Sequence, residues 1–147
     1  MRRRTASVPG YKKPTFEDAQ LLIKLVTLGF NEVNEEAMTW FERDFRSKTW
    51  ADFKKTYPEG SPGMQYLGRI MAQYELAGVL VSHGLLNEDL FFDMSPIGFN
   101  WGKLEPIVEG ARKEMPVLWE NAVWLAERQK KWAKTVWKPN LAWKKEK

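Results

Sequence analysis

Between Arg69 and Glu88 the chain has one charged residue, Glu75. Within and around that stretch Met64, Leu67, Met71, Tyr74, Gly78 and Val81 recur at steps of three and four. Leu76, Ala77, Val79 and Leu80 widen the apolar stripe almost all the way round. A helix apolar on most of its faces has to sit at the centre of a protein, with other elements packed on it. Gly68 and Gly78 lie in this helix, where each costs about 1 kcal/mol against alanine. Their expected use is to let another helix come close. No run reaches the roughly 20 consecutive apolar residues of a membrane span, so the segment reads as the axis of a core.

The rest of the chain supplies helices to surround it. Thr15 with Asp18 makes a near capping box, followed by Phe16, Ala19, Leu22, Ile23 and Val26 at helical spacing, with Gly29 as the expected stop. Asn34 is the expected start of a second helix, with Ala37, Met38, Phe41 and Phe45 facing inward. Thr49 caps a short third one through Trp50, Phe53 and Tyr57, ended by Pro58. Ser61 and Pro62 open the central helix, since proline is preformed for the first helical position, and His83-Gly84 closes it. Asn87 caps a short helix with Glu88 and Asp89 in its first turn. Ser95-Pro96-Ile97-Gly98 is a break, and Asn100 is the expected start of a helix carrying Trp101, Leu104, Ile107 and Val108. Pro106 within it predicts a kink or a lead-in turn. Pro116 is the expected start of the last helix, with Leu118, Ala122, Leu125 and Trp132 inward. No stretch alternates as a strand would. The fold class expected is all-α, a compact orthogonal bundle of five to seven helices with basic terminal arms.

Charge is divided along the chain. Residues 1–13 hold five basic residues and no acid, and residues 128–147 hold eight basic residues against Glu146. The ends therefore sum to +12, and the overall +4 leaves −8 for residues 14–127. This divides the chain into a basic arm (1–14), a helical domain (15–131) and a basic, Trp-containing tail (132–147). The 147 residues fit one domain. With Cys 0 and His 1, disulfides, thiol catalysis and multi-His metal sites are excluded, and neither a metal nor a cofactor is expected. The Arg cluster at the start has no apolar stretch behind it and does not read as an export signal. A cytoplasmic location is the expectation.

The string Tyr74-Glu75-Leu76-Ala77-Gly78-Val79-Leu80-Val81, then Gly84-Leu85-Leu86, Glu88-Asp89-Leu90 and Asp93, is followed by Trp101, Leu104, Pro106-Ile107 and Arg112. This order resembles the bacterial helical family known as domain of unknown function 4760, over roughly residues 35–128. The resemblance implies an all-helical fold and carries no activity. Some members of that family resemble proteins with an N-terminal membrane span, which this chain lacks.

Two groups of residues stand out. Glu75 is a lone carboxylate on an apolar helix, and burying it requires a partner. A structural ion pair with Arg69 or Arg112 is expected, Arg112 before Arg69. The acids Glu88, Asp89 and Asp93 are explained by helix-end electrostatics and lack the ligand spacing of a cation loop. At the C-terminal end, tryptophans alternate with lysines. The candidate partner-binding residues are Arg2, Arg3, Arg4, Lys130, Lys131, Lys134, Trp137, Lys138, Trp143, Lys144 and Lys145. Such a mixture suits an acidic protein face, nucleic acid or an anionic membrane surface, and it also suits the chain's own acidic body. The leading expectation is a small binding or scaffold module, not an enzyme, that docks an acidic protein partner through its basic aromatic ends. The alternatives are a nucleic-acid-associated protein gripping phosphates with both tails and, more weakly, an enzyme working with carboxylates alone.

Overall fold

The computed structural model describes residues 12–95 and 98–136. Among them are seven helices and no strands. In chain order these are α1 (Phe16–Gly29), α2 (Glu32–Arg43), α3 (Trp50–Thr56), α4 (Pro62–Ser82), α5 (Glu88–Met94), α6 (Gly98–Glu114) and α7 (Glu120–Val136). The fold is all-α and compact, with α4 as its axis. α4 packs most extensively on α7 and next on α2; α3 rests on α6, and α1 on α5.

Local sequence sets most helix starts. Thr15, Asn31, Thr49, Ser61 and Asn87 each accept a backbone N–H with the side-chain oxygen, and Thr15 and Asp18 form a complete capping box. α4 ends at His83, and Gly84 takes φ +70°, a left-handed turn that glycine adopts without steric cost. Four expected boundaries move. Asn31, rather than Asn34, caps α2, accepting from the Asn34 N–H at 3.0 Å. Gly29 is the last helical residue of α1 and not a left-handed stop, since only Gly60 and Gly84 have positive φ among the described glycines. α6 starts at Gly98 and runs unbroken through Pro106. The carbonyl that the ring deprives of a partner belongs to exposed Gly102, where water can serve it. α7 begins at Glu120 and not at Pro116, because Trp119 has φ +52° and cannot continue a helix.

The core has an aromatic end and an aliphatic middle. Trp40 meets Phe45, Phe53 and Tyr57 edge-on at ring distances of 5.6, 6.4 and 5.2 Å. These contacts join α2, α3 and the loops beside them, in the edge-to-face geometry aromatic rings prefer. Farther along, Leu67, Met71, Leu104, Ile107 and Leu125 are buried between α4, α6 and α7. The expected central stripe is observed: Ala77 and Val81 are buried and Tyr74 is half-buried. Leu76 points outward at 41% exposure. α1 departs from expectation: Leu21, Leu22 and Leu25 pack on the core, while Phe16 and Ile23 face solvent. The proposed boundary at residue 132 also falls inside an element. α7 continues to Val136, and Trp132 is a buried core residue.

Gly78 sets the spacing of the two principal helices. A Cβ placed there would lie 2.2 Å from the Asn121 carbonyl oxygen, so α7 starts directly against the α4 backbone. Gly68, by contrast, has open space around it, and the close-approach reading fails for it. Gly78→Ala is expected to destabilise the fold by roughly 1–3 kcal/mol through overpacking against rigid backbone. Gly68→Ala is expected to stabilise it by up to about 1 kcal/mol, because only helix propensity changes. Denaturant midpoints of the two variants, shifted in opposite directions, are the measurement.

Candidate binding surface at the first turn of α5

The charged residues singled out in the sequence converge on two junctions. The first is the start of α7. Trp119 precedes that helix and has no side-chain oxygen to cap it, so the acceptors come from elsewhere. The Glu75 carboxylate of α4 accepts the Ala122 N–H at 2.9 Å, the Asn121 N–H at 3.4 Å and the Asn121 side-chain amide at 2.7 Å. An anion facing the first turn of a helix satisfies N–H groups that have no partner within the helix and meets its positive end. Arg112 reaches the same connection from α6 and donates to the Leu118 carbonyl at 2.5 Å. The expected Glu75–Arg112 ion pair is therefore not formed. The two side chains grip the same α6–α7 connection at different points: Arg112 holds the Leu118 carbonyl, and Glu75 accepts the Asn121 and Ala122 N–H groups that follow it. Arg69, the other candidate, is exposed.

The second junction is the first turn of α5. Asn87 donates its backbone N–H to Asp18 at 2.8 Å and its side-chain amide to the Lys12 carbonyl at 2.6 Å. Glu88 takes both ends of the Arg128 guanidinium at 2.6 Å each, the bidentate geometry that gives arginine pairs their strength. Asp89 is buried and accepts the Trp132 indole N–H at 2.7 Å. Three consecutive residues thus hold the start of the helical domain and the last two turns of α7. Lys12, the first described residue, and Trp132, in the last turns of α7, are thereby held at the same helix start.

Asp18 is the electrostatic link at this junction. Partial burial alone would raise its pKa, but hydrogen bonds from the Thr15 backbone and side chain and from Asn87, with Lys12 nearby, outweigh it. The carboxyl is held below its ordinary value. A group depressed in the folded state contributes stability above its unfolded pKa and loses it as pH falls through the folded one. The α1–α5 contact should therefore loosen in acid, below about pH 4.

The expected binding residues divide three ways. Lys130 is engaged by Glu127 at 2.8 Å and Glu105 at 3.0 Å, both at the surface. Lys131 and Lys134 are exposed on the last turns of α7. Arg2, Arg3, Arg4, Trp137, Lys138, Trp143, Lys144 and Lys145 lie outside the described residues. Trp124, on the same helix as the buried Trp132, is 39% exposed. His83 is an exposed C-cap. Among the described residues no group of three or more His, Asp or Glu side chains is arranged to hold a metal ion, and no helix is long and apolar enough to cross a membrane. Sequence reasoning missed the Glu88–Arg128 and Asp89–Trp132 contacts, which span 40 and 43 residues. The only signal was the presence of these acids in a helix start, which local electrostatics already explained.

Removing the Glu75 carboxylate as Glu75→Ala should cost roughly 1–3 kcal/mol, since it leaves helix N–H groups unpaired. Arg69→Ala should stay within about 0.5 kcal/mol of the parent. Chemical denaturation checks both. Acid titration supplies another check: amide exchange at Asn87 should accelerate below about pH 4, and Asp18→Asn should show the faster exchange already at neutral pH.

No curated protein and no solved structure matches the chain. One family model does, over residues 14–132. That span is wider than the 35–128 suggested by the central string, and it takes in α1 and Trp132. The chain belongs to the family described as Domain of unknown function (DUF4760).

Proposed function

We propose that this protein is a small helical binding module, not an enzyme, and that its two basic ends together dock an acidic protein surface. The observation that carries the reading is the meeting of Lys12 and Trp132 at the first turn of α5, where Asn87 holds the Lys12 carbonyl and Asp89 holds the Trp132 indole. Ends carrying a net +12 on a body of net −8 repel each other when brought together, a cost that an anionic partner relieves. Lys12 and Lys13 beside the first contact, and Lys131 and Lys134 beside Trp132 in the sequence, are exposed. Trp137 and Trp143 would add apolar contact that salt does not screen. The same charges could meet phosphates, and a backbone-binding protein would show that by a steep salt dependence. The acidic protein is preferred because tryptophan is a common anchor at protein interfaces.

Fluorescence anisotropy on the full chain separates the readings, with a polyglutamate peptide and a DNA oligonucleotide as probes. Polyglutamate should bind. Replacing Trp137 and Trp143 by alanine should weaken it at high as well as low salt, and replacing Lys131, Lys134, Lys144 and Lys145 by glutamine should weaken it mainly at low salt. Tighter binding of the oligonucleotide than of polyglutamate would overturn the proposal in favour of nucleic acid. Trp132 is no probe for this test, since its loss opens the core.

A further inference from the structure

Two residues of α6 weaken that helix without serving the packing of the bundle. Pro106 interrupts its hydrogen bonding and leaves the Gly102 carbonyl without a helical donor. Gly102 itself costs stability in a helix interior, and a Cβ placed on it would meet nothing within 4 Å. It therefore admits no neighbouring element, unlike Gly110, where a Cβ would lie 2.4 Å from the Trp50 side chain. Gly102 and Pro106 lie one turn apart on α6, and both are exposed. What they share is a pocket of ≈ 320 Å³ between α6 and the end of α2, which both of them line.

The pocket gathers positive charge on an acidic body. Arg46, Lys48 and Lys103 line it together with one acid, Glu42, whereas residues 14–127 as a whole sum to −8. The fold holds two of these cations in place. Arg46 donates from Nη1 to the Phe45 carbonyl at 2.7 Å and from Nη2 to the Arg43 carbonyl at the end of α2. That commits two of its five N–H groups and leaves three. The Lys103 ammonium stands 5.5 Å from the centre of the Phe41 ring. Among the described residues, none of the three cations joins an ion pair.

We propose that this pocket is a binding site for a phosphate monoester, carried by a small molecule or by one phosphorylated side chain. The charge matches. Three cations less Glu42 leave +2, and a monoester carries about −1.5 to −2 at pH 7 with three acceptor oxygens. A single carboxylate brings one charge and two oxygens. The Gly102 carbonyl, freed by Pro106, accepts a hydroxyl or N–H from the group that bears the phosphate. The volume stands at the low end of ligand sites, which run from roughly 300 to 1,000 Å³, and this favours a small ligand. No lining residue belongs to α5, to α7 or to the chain ends, so the site does not depend on docking by those ends.

Nuclear magnetic resonance on the isotope-labelled full chain tests the proposal, because each amide reports where an anion lands. The probes are glycerol phosphate and a phosphoserine peptide otherwise without charge, with succinate as a dicarboxylate control. Both phosphates should shift the amides of Arg46, Lys48, Gly102 and Lys103. Lys48→Gln combined with Lys103→Gln should weaken binding about tenfold or more. Gly102→Leu should fill the pocket and abolish binding while the denaturant midpoint stays level or rises, which separates loss of the site from loss of the fold. Tighter binding of glycerol phosphate would assign the site to a free small molecule, and tighter binding of the peptide to a phosphorylated protein; either supports the proposal. Shifts confined to the end of α7 and the chain ends would overturn it. So would succinate binding as tightly as the phosphates, or phosphate binding indifferent to Gly102→Leu.

Discussion

The approach of α7 to α4 at Gly78 is the constraint on which the rest of the bundle depends. Only a residue without a Cβ lets the Asn121 backbone sit where it does. That proximity brings the first N–H groups of α7 within reach of Glu75, one turn earlier on α4. The result resolves two problems together. α7 begins after a left-handed Trp119 and has no cap of its own, and α4 carries a carboxylate on an otherwise apolar helix. Each satisfies the other, since a carboxylate receiving several N–H donors is stabilised in its charged form by hydrogen bonds and by the helix end. With the start of α7 fixed, its direction lays Leu125 into the core and brings Arg128 and Trp132 to α5.

The contacts at α5 are of a different kind. Beyond the Glu75 cap α4 and α7 are joined by packing, whereas α1, α5 and the end of α7 are joined mainly by polar groups, with the Phe92–Trp132 ring contact beside them. Asn87, Glu88 and Asp89 form a helix start whose own N–H groups favour acids nearby. Their side chains hold Lys12, Arg128 and Trp132. A helix of seven residues contributes little apolar area, and its position rests on these bonds and on Phe91 and Phe92 beneath it. The acidic turn also offsets the positive charge of Arg128, which Glu88 holds in a bidentate pair. α1 is tied to the bundle through this turn and through one apolar side, which leaves its other edge exposed.

Much of the architecture was legible in the sequence because it is encoded by neighbouring residues. The apolar circumference of α4, the caps at Thr15, Thr49, Ser61 and Asn87, and the glycine turn after His83 all depend on residues within a few positions of one another. Errors fell where local signals were equivocal. Asn31 and Asn34 are both competent caps, and the side chain of the first accepts the N–H of the second. Pro116 is a good helix opener in isolation, but it begins a turn whose end is set by Trp119. The apolar residues of α1 form two stripes, and periodicity alone does not say which stripe meets the core.

The sequence by itself determined the class of fold, the central helix, the division of charge between body and ends, and that residue 75 needs a partner. It could not name that partner, because arginine is the partner charge suggests and backbone N–H groups are invisible in a sequence. Only the tertiary structure decided that Glu75 caps α7, that Arg112 holds the Leu118 carbonyl, and that Lys12 and Trp132, more than a hundred residues apart, are held at one helix start. These are consequences of how α4, α5 and α7 cross. That crossing is set by the contact at Gly78, and it joins residues separated by 40 or more positions, over which no local pattern carries information.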